Sequence, residues 1–345
     1  MTALARRVQI LVFVAVACVT LLLIASAASA HVPQFAEGGA SLQTATQIDQ
    51  PATSWVYYGT IDAAQEARYY RFDLAAGDRL YVQLLTPREG PFPSLAVTGP
   101  GLPSQGQALN DRGHARRSID ERRQGTADKA EYEPFTPGAY WYPATVDTQV
   151  EAGGTYYVAV FSEAPIGPYG IAVGYEEKYT VPAWIRLPAD LLTIYAWDGG
   201  WASALWPGIA VLIVVGALVL WRARVAKKPR CLSSWLALAA GLLYLTTSAT
   251  VLFQMLRAAG RSGFDPGMAI TAFFIIGPAV LAALLLWLGW RTVSAPGIGT
   301  RVAMLILGLA GFGLLAGYFI GPVLAIAAAA SPPYRREEIA EPATP

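Results

Sequence analysis

The C-terminal part of this chain contains four apolar runs that are each long enough to cross a lipid bilayer. They lie at about 204–221, 232–256, 268–290 and 302–327. A hydrocarbon core of about 30 Å requires roughly 20 helical residues. Only 14% of the chain is charged, whereas soluble domains average about 25%. We therefore predict an α-helical membrane domain of about four transmembrane helices over 204–330.

The charged residues are distributed unevenly along the chain. Residues 31–200 contain 20 acidic and 12 basic side chains, whereas 201–345 contain 4 acidic and 11 basic ones. Five of those basic residues lie within 222–230, directly after the first apolar run. Because positively charged loops are retained in the cytoplasm, this cluster predicts that the preceding domain is outside. An acidic exterior domain also disfavours nucleic acid as a partner.

The first thirty residues have the pattern of a secretory signal peptide. Arg6 and Arg7 precede an apolar run at 10–24, and small residues at 25–30 offer cleavage after Ala27 or Ala30. An uncleaved anchor is the alternative, since the apolar run is long for a signal peptide. Either form predicts a multi-pass protein of the cell membrane with an extracytoplasmic N-terminal domain.

Residues 31–180 consist of short β-rich runs separated by glycine and proline. The run at 67–74 largely alternates polar with apolar residues, as expected for a half-buried strand. This pattern predicts an all-β sandwich or jelly roll as the ectodomain. Neither of the two cysteines of the chain lies in it, so we expect the domain to fold without disulfides.

Three stretches of this domain contain recurring elements, and they read YYRFDLAAGDRLYVQL, PSLAVTGPG and EAGGTYYVAVFSEAPIGPYGIAVG. Their Tyr-x-Phe strand, Gly-Asp turn and closing Gly-x-Tyr-Tyr strand resemble the bacterial pre-peptidase C-terminal domain. That family is a small β-sandwich appended to secreted enzymes and surface proteins. The resemblance covers about a third of the chain and implies a fold, but it implies no catalytic residue.

A charged insertion at 102–146 interrupts the predicted domain. Its arginines are candidate contacts to a protein partner or an anion, with a solvated loop as the alternative; they are Arg112, Arg116, Arg117, Arg122 and Arg123. Tyr140, Trp141 and Tyr142 follow, and we predict that they lie outside a regular strand. These aromatics either form a contact or glycan-stacking surface or close the end of the sandwich.

The two histidines of the chain are His31 and His114. Cleavage after Ala30 would leave His31 with a free α-amine, and amine and imidazole nitrogens suit Cu(II). A copper site would therefore combine His31 with His114. The alternative is that His31 is a solvated N-terminal residue without a metal.

The helical part has three further features. Residues 181–203 are amphipathic and aromatic, which indicates a helix near the membrane surface. The interiors of the four spans contain no ionisable residue, which disfavours proton coupling and haem binding. Gly313, Gly317 and Gly321 predict a flat helix face for packing within the protein or against a partner subunit. Residues 331–345 form a polar tail, predicted to be extracytoplasmic.

The sequence contains no motif of a nucleophilic hydrolase, a zinc protease or a phosphate-binding loop. We therefore expect no enzyme activity and no cofactor other than the copper considered above. We interpret the chain as a membrane-anchored binding or interaction protein, either alone or as a subunit of a membrane complex. Its partner would be a protein or a glycan. Two alternatives stay open: a copper-handling membrane protein that uses His31, and a small transporter or channel subunit.

Overall fold

A computed structural model of the chain describes residues 31–102, 129–226 and 231–332. The predicted signal segment, His114, the five arginines of the insertion and the tail from 333 lie outside these residues. The described residues form two compact units. One, here called the β unit, contains 31–204 together with 254–271, and the other, the helical unit, contains 205–253 and 272–332.

The β unit contains two sheets. In chain order its strands are β1 Val32–Gln34, β2 Thr46–Gln47, β3 Trp55–Ile61, β4 Glu66–Leu74, β5 Arg79–Thr86, β6 Ser94–Thr98, β7 Glu131–Glu133, β8 Gly138–Gln149, β9 Gly154–Ser162 and β10 Gly167–Val173. The six-stranded sheet has the order β1-β3-β10-β5-β8-β7, and the four-stranded sheet has the order β2-β4-β9-β6. β1 pairs with β3 and β2 with β4 in parallel, whereas the remaining pairs are antiparallel.

The two sheets share one apolar core, because alternate residues of β3, β4, β5, β9 and β10 point between them. Tyr70 of the four-stranded sheet and Tyr169 of the six-stranded sheet are fully buried. Their hydroxyl oxygens are 2.8 Å apart, so a hydrogen bond joins the sheets across the core. The prediction of a β-rich domain that precedes apolar helices is confirmed.

The C-terminal end of the predicted insertion has regular structure, since β7 and β8 form one edge of the six-stranded sheet. Tyr140 and Trp141 are buried within β8, so the prediction that these aromatics stand outside a strand is wrong. The two side chains contribute to different apolar clusters. This packing involves residues distant in sequence, and the charged neighbouring sequence does not reveal it.

The helices are α1 Val181–Ala226, α2 Leu232–Ser262, α3 Met268–Arg291, α4 Ile298–Gly313 and α5 Ile320–Ala330, with a short 3-10 helix at Ala316–Phe319. α1, α2 and α3 are each long and apolar enough to cross a membrane, and α4 with α5 can count as a fourth, bent span. Gly200 has non-helical backbone angles and breaks α1, so the predicted amphipathic segment 181–203 is helical up to that break.

The last predicted span is not a straight helix, because α4 and α5 meet at a bend of 118°. The predicted flat glycine face is therefore wrong: Gly313 ends α4, Gly317 lies in the bend with a φ of 64°, and Gly321 belongs to α5. A Cβ atom on Gly317 or Gly321 would lie 3.0 or 2.6 Å from the ring of Tyr244. These two glycines make room for a tyrosine of the same unit.

Candidate functional site

The outer side of the six-stranded sheet carries a cluster of aromatic side chains, here called the aromatic face. Its members are Phe35, Tyr58, Tyr140, Tyr142 and, from α1, Trp197. The ring centre of Trp197 is 4.8 Å from that of Tyr58 and 5.8 Å from that of Tyr140. Phe35 stacks on Tyr58 with ring centres 5.5 Å apart. The indole N–H of Trp197 also donates a hydrogen bond to the carbonyl of Gly59, at 3.1 Å.

Strand register brings a carboxylate to this face. Glu131 pairs with Tyr140 and Glu133 pairs with Gly138, so both acidic side chains are on the same side of the sheet as Tyr140. A Cβ atom on Gly138 would lie 2.3 Å from the Tyr140 hydroxyl oxygen. That hydroxyl therefore lies over Gly138, directly across from Glu133.

Glu133 is half-buried, and its Oε1 atom accepts a hydrogen bond of 3.2 Å from the N–H of Phe135. Burial raises the pKa of its carboxyl group to about 7, and the hydrogen bond from Phe135 only partly opposes this effect. Burial also raises the pKa of Tyr58 and Tyr142, and the charge of Glu133 is the second cause for both. The carboxyl is thus close to ionisable aromatic groups in a poorly solvated place.

A second carboxylate beside this face has the opposite environment, since Asp198 is buried and paired. The guanidinium of Arg261 binds it through two hydrogen bonds of 2.8 and 2.7 Å, and Arg257 lies 3.8 Å from its Oδ1 atom. Arg261 also donates to the carbonyl of Pro87, at 2.6 Å. Such bidentate pairs are the strongest charge-assisted hydrogen bonds in proteins.

The positions of Arg257 and Arg261 differ from the sequence-based prediction for the end of the second span. The second span was predicted to end at 256, but α2 continues to Ser262 and carries Arg257 and Arg261 into the β unit. Ionisable side chains therefore lie inside the long helices. The spacing of four between the arginines was a readable signal that both lie on one helix face. Their partner Asp198 is 63 residues from Arg261, and no local pattern connects the two.

A third polar contact joins the β unit to the start of α3. The hydroxyls of Tyr132 and Thr271 are 2.7 Å apart, and Thr271 donates to the carbonyl of Pro134, also at 2.7 Å. Trp197, Arg261 and Thr271 thus anchor α1, α2 and α3 to strands or loops of the same unit. Sequence analysis predicted none of these three contacts.

The helical unit has its own polar cluster at the bend between α4 and α5. Leu315, Tyr318 and Phe319 adopt left-handed backbone angles there, which are uncommon for residues other than glycine. The side chain of Thr247 accepts a hydrogen bond of 2.8 Å from the N–H of Gly317. The hydroxyl of Tyr318 lies 3.2 Å from that of Thr250. Hydroxyl groups of α2 therefore satisfy part of the backbone that the bend leaves open.

The structure describes some of the site residues predicted from the sequence and leaves others outside the described ranges. Nδ1 of His31 lies 2.5 Å from the Ser54 hydroxyl oxygen, and a chelate with the α-amine would have to displace this contact. Among the residues that the structure describes, no group of three His, Cys, Asp or Glu side chains could hold a metal. His114 and the five arginines lie outside the described residues, so copper binding and arginine contacts stay predictions. Tyr140 and Trp141 are buried, whereas Tyr142 is partly exposed.

These features define a protein whose two-sheet β unit incorporates the ends of apolar helices that are long enough to cross a membrane. Comparison with protein-family models, with curated proteins and with solved structures found no match to the chain. The resemblance to the pre-peptidase C-terminal domain therefore rests on the sequence motifs.

Proposed function

We propose that the protein is a non-catalytic, membrane-anchored binding or interaction protein. Its β unit, a sandwich or jelly roll similar to the pre-peptidase C-terminal domain, faces the extracytoplasmic side of the cell membrane. About four transmembrane helices hold it there, and the unit contacts a protein or a glycan. The role includes that of a subunit in a membrane complex.

The observation that supports this proposal is that the β unit includes the ends of three apolar helices. Parts of α1, α2 and α3, the three helices long enough to span a membrane, belong to it through Trp197, Arg261 and Thr271. A domain that is only tethered needs no buried polar contacts with its anchor. Specific contacts of this kind support a role in which the β unit is held in a defined place to meet a partner.

Purification of the full chain from its native membranes in mild detergent, after mild cross-linking, tests the proposal. We expect a protein or glycan to be retained in a fixed ratio to the chain. Replacing Arg116 and Arg117 by serine should reduce this retention if the charged insertion makes the contact, whereas Arg88→Ser, an exposed arginine outside it, is the control. A monomer with nothing attached would overturn the proposal.

The bend in the helical unit favours a second candidate, a small transporter or channel subunit. Broken helices with open backbone occur in transporters where the chain lines a polar cavity. Sodium uptake into liposomes that contain the full chain tests this candidate. Uptake above that of empty liposomes, reduced by Thr247→Val, would support it, and no uptake above the empty control would exclude sodium transport.

A further inference from the structure

The β unit contains two buried or half-buried carboxylates that lie beside the same aromatic side chains but differ in their partners. Asp198 has the guanidinium of Arg261 as its counter-charge. Among the ion pairs formed by the described residues, none includes Glu133. Charged side chains removed from water are usually paired, so the environment of Glu133 is incomplete for an ionised carboxylate.

Among the residues that the structure describes, the groups on the side of Glu133 are tyrosines and one further carboxylate. The charge of Glu133 affects the ionisation of Tyr132 on its own strand and of four tyrosines from strands β3 and β8 and from the segment before α1, which are Tyr58, Tyr140, Tyr142 and Tyr179. Glu131 is on the same face of the same strand and is exposed. The strand register thus places the Glu133 carboxylate on the side of the sheet that carries the aromatic face, and none of the described members of that face is a cation.

A carboxylate beside several aromatic rings favours one class of ligand, an organic cation. The faces of aromatic rings attract cations, and sites for organic ammonium groups combine several rings. A nearby carboxylate adds the counter-charge. An alkylammonium group would supply the positive charge that Glu133 lacks and would keep its carbon atoms against the rings.

We propose that Glu133 and the aromatic face form a binding site for an organic ammonium group. The inference rests on the proposed binding role of the β unit and names the class of ligand. The two can fail separately, because a protein or glycan partner can be retained whether or not ammonium binds.

Calorimetric titration of the full chain in detergent tests the site, with choline and tetramethylammonium as probes. We expect saturable binding of both at pH 8, and no binding of 3,3-dimethyl-1-butanol, which is the neutral isostere of choline. The proton competes for the same carboxyl, so binding should be about tenfold weaker at pH 6 than at pH 8, as follows from a pKa of about 7.

Substitutions distinguish the contribution of the Glu133 carboxylate to binding from that of the neighbouring side chains. Glu133→Gln should weaken choline binding at least tenfold, whereas Glu131→Gln, which removes an exposed charge from the same face, should weaken it much less. Tyr142→Leu tests the aromatic contribution independently and should also weaken binding. The proposal is overturned by the absence of saturable binding at pH 8, by equal binding of the neutral isostere, or by unchanged affinity in Glu133→Gln.

Discussion

Replacing Glu133 by glutamine removes one ionisable group and preserves an acceptor oxygen for the N–H of Phe135. In the folded protein, burial raises the pKa of this carboxyl from 4.5 to about 7. Between these two values the folded state binds more protons than the unfolded state. The contribution of Glu133 to the free energy of unfolding must therefore fall as the pH rises from 4.5 to 7, and stay low above that. Glutamine has no charge and escapes this loss.

The size of the effect follows from the difference in pKa. Each pKa unit corresponds to about 1.4 kcal/mol, and partial exposure of the residue reduces the full value. We expect Glu133→Gln to be more stable than the native protein by about 2–3 kcal/mol at pH 8. Near pH 4 the native carboxyl is protonated in both states, so the two proteins should be equally stable.

Thermal unfolding of the full chain in detergent, followed by circular dichroism at several pH values, measures this difference. A shift of about 2–3 kcal/mol corresponds to roughly 5–10 °C in Tm for a unit of this size. Glu131→Gln controls for the loss of one negative charge on the same strand, and its effect should be much smaller. A Tm difference for Glu133→Gln that is independent of pH would refute the reasoning, as would destabilisation at pH 8.

Three further substitutions test other contacts by thermal unfolding of the same detergent-solubilised chain. Asp198→Asn should destabilise the protein by about 3 kcal/mol, because it leaves two arginines without their counter-charge; a change below about 0.5 kcal/mol, typical of surface positions, would contradict this. Gly311→Ala should destabilise the helical unit, since its Cβ would lie 1.9 Å from the Tyr244 hydroxyl oxygen, whereas Gly299→Ala meets open space and should not. Thr271→Val loses two hydrogen bonds of 2.7 Å and should cost about 1–2 kcal/mol, while a neutral effect would argue against that anchor.

Local patterns in the sequence were sufficient for the broad architecture. Apolar runs such as 268–290 predict helices of membrane-spanning length, because hydropathy and length are properties of a continuous segment. Alternation at 67–74 likewise predicted a strand, which the structure has at Glu66–Leu74. The order of the parts, a β-rich domain before apolar helices, was readable for the same reason.

The residues of the candidate sites come together only in the tertiary structure. Glu133 reaches the aromatic face through its pairing with β8, and Asp198 reaches Arg261 across 63 residues of chain. In the last span, the glycines predicted to form one flat face lie on either side of a bend and within it, where Gly317 and Gly321 make room for Tyr244 of α2. Each of these contacts depends on which side chain from a distant part of the sequence packs beside the residue. Hydropathy, periodicity and motif spacing describe only neighbours along the chain, so they cannot predict such contacts.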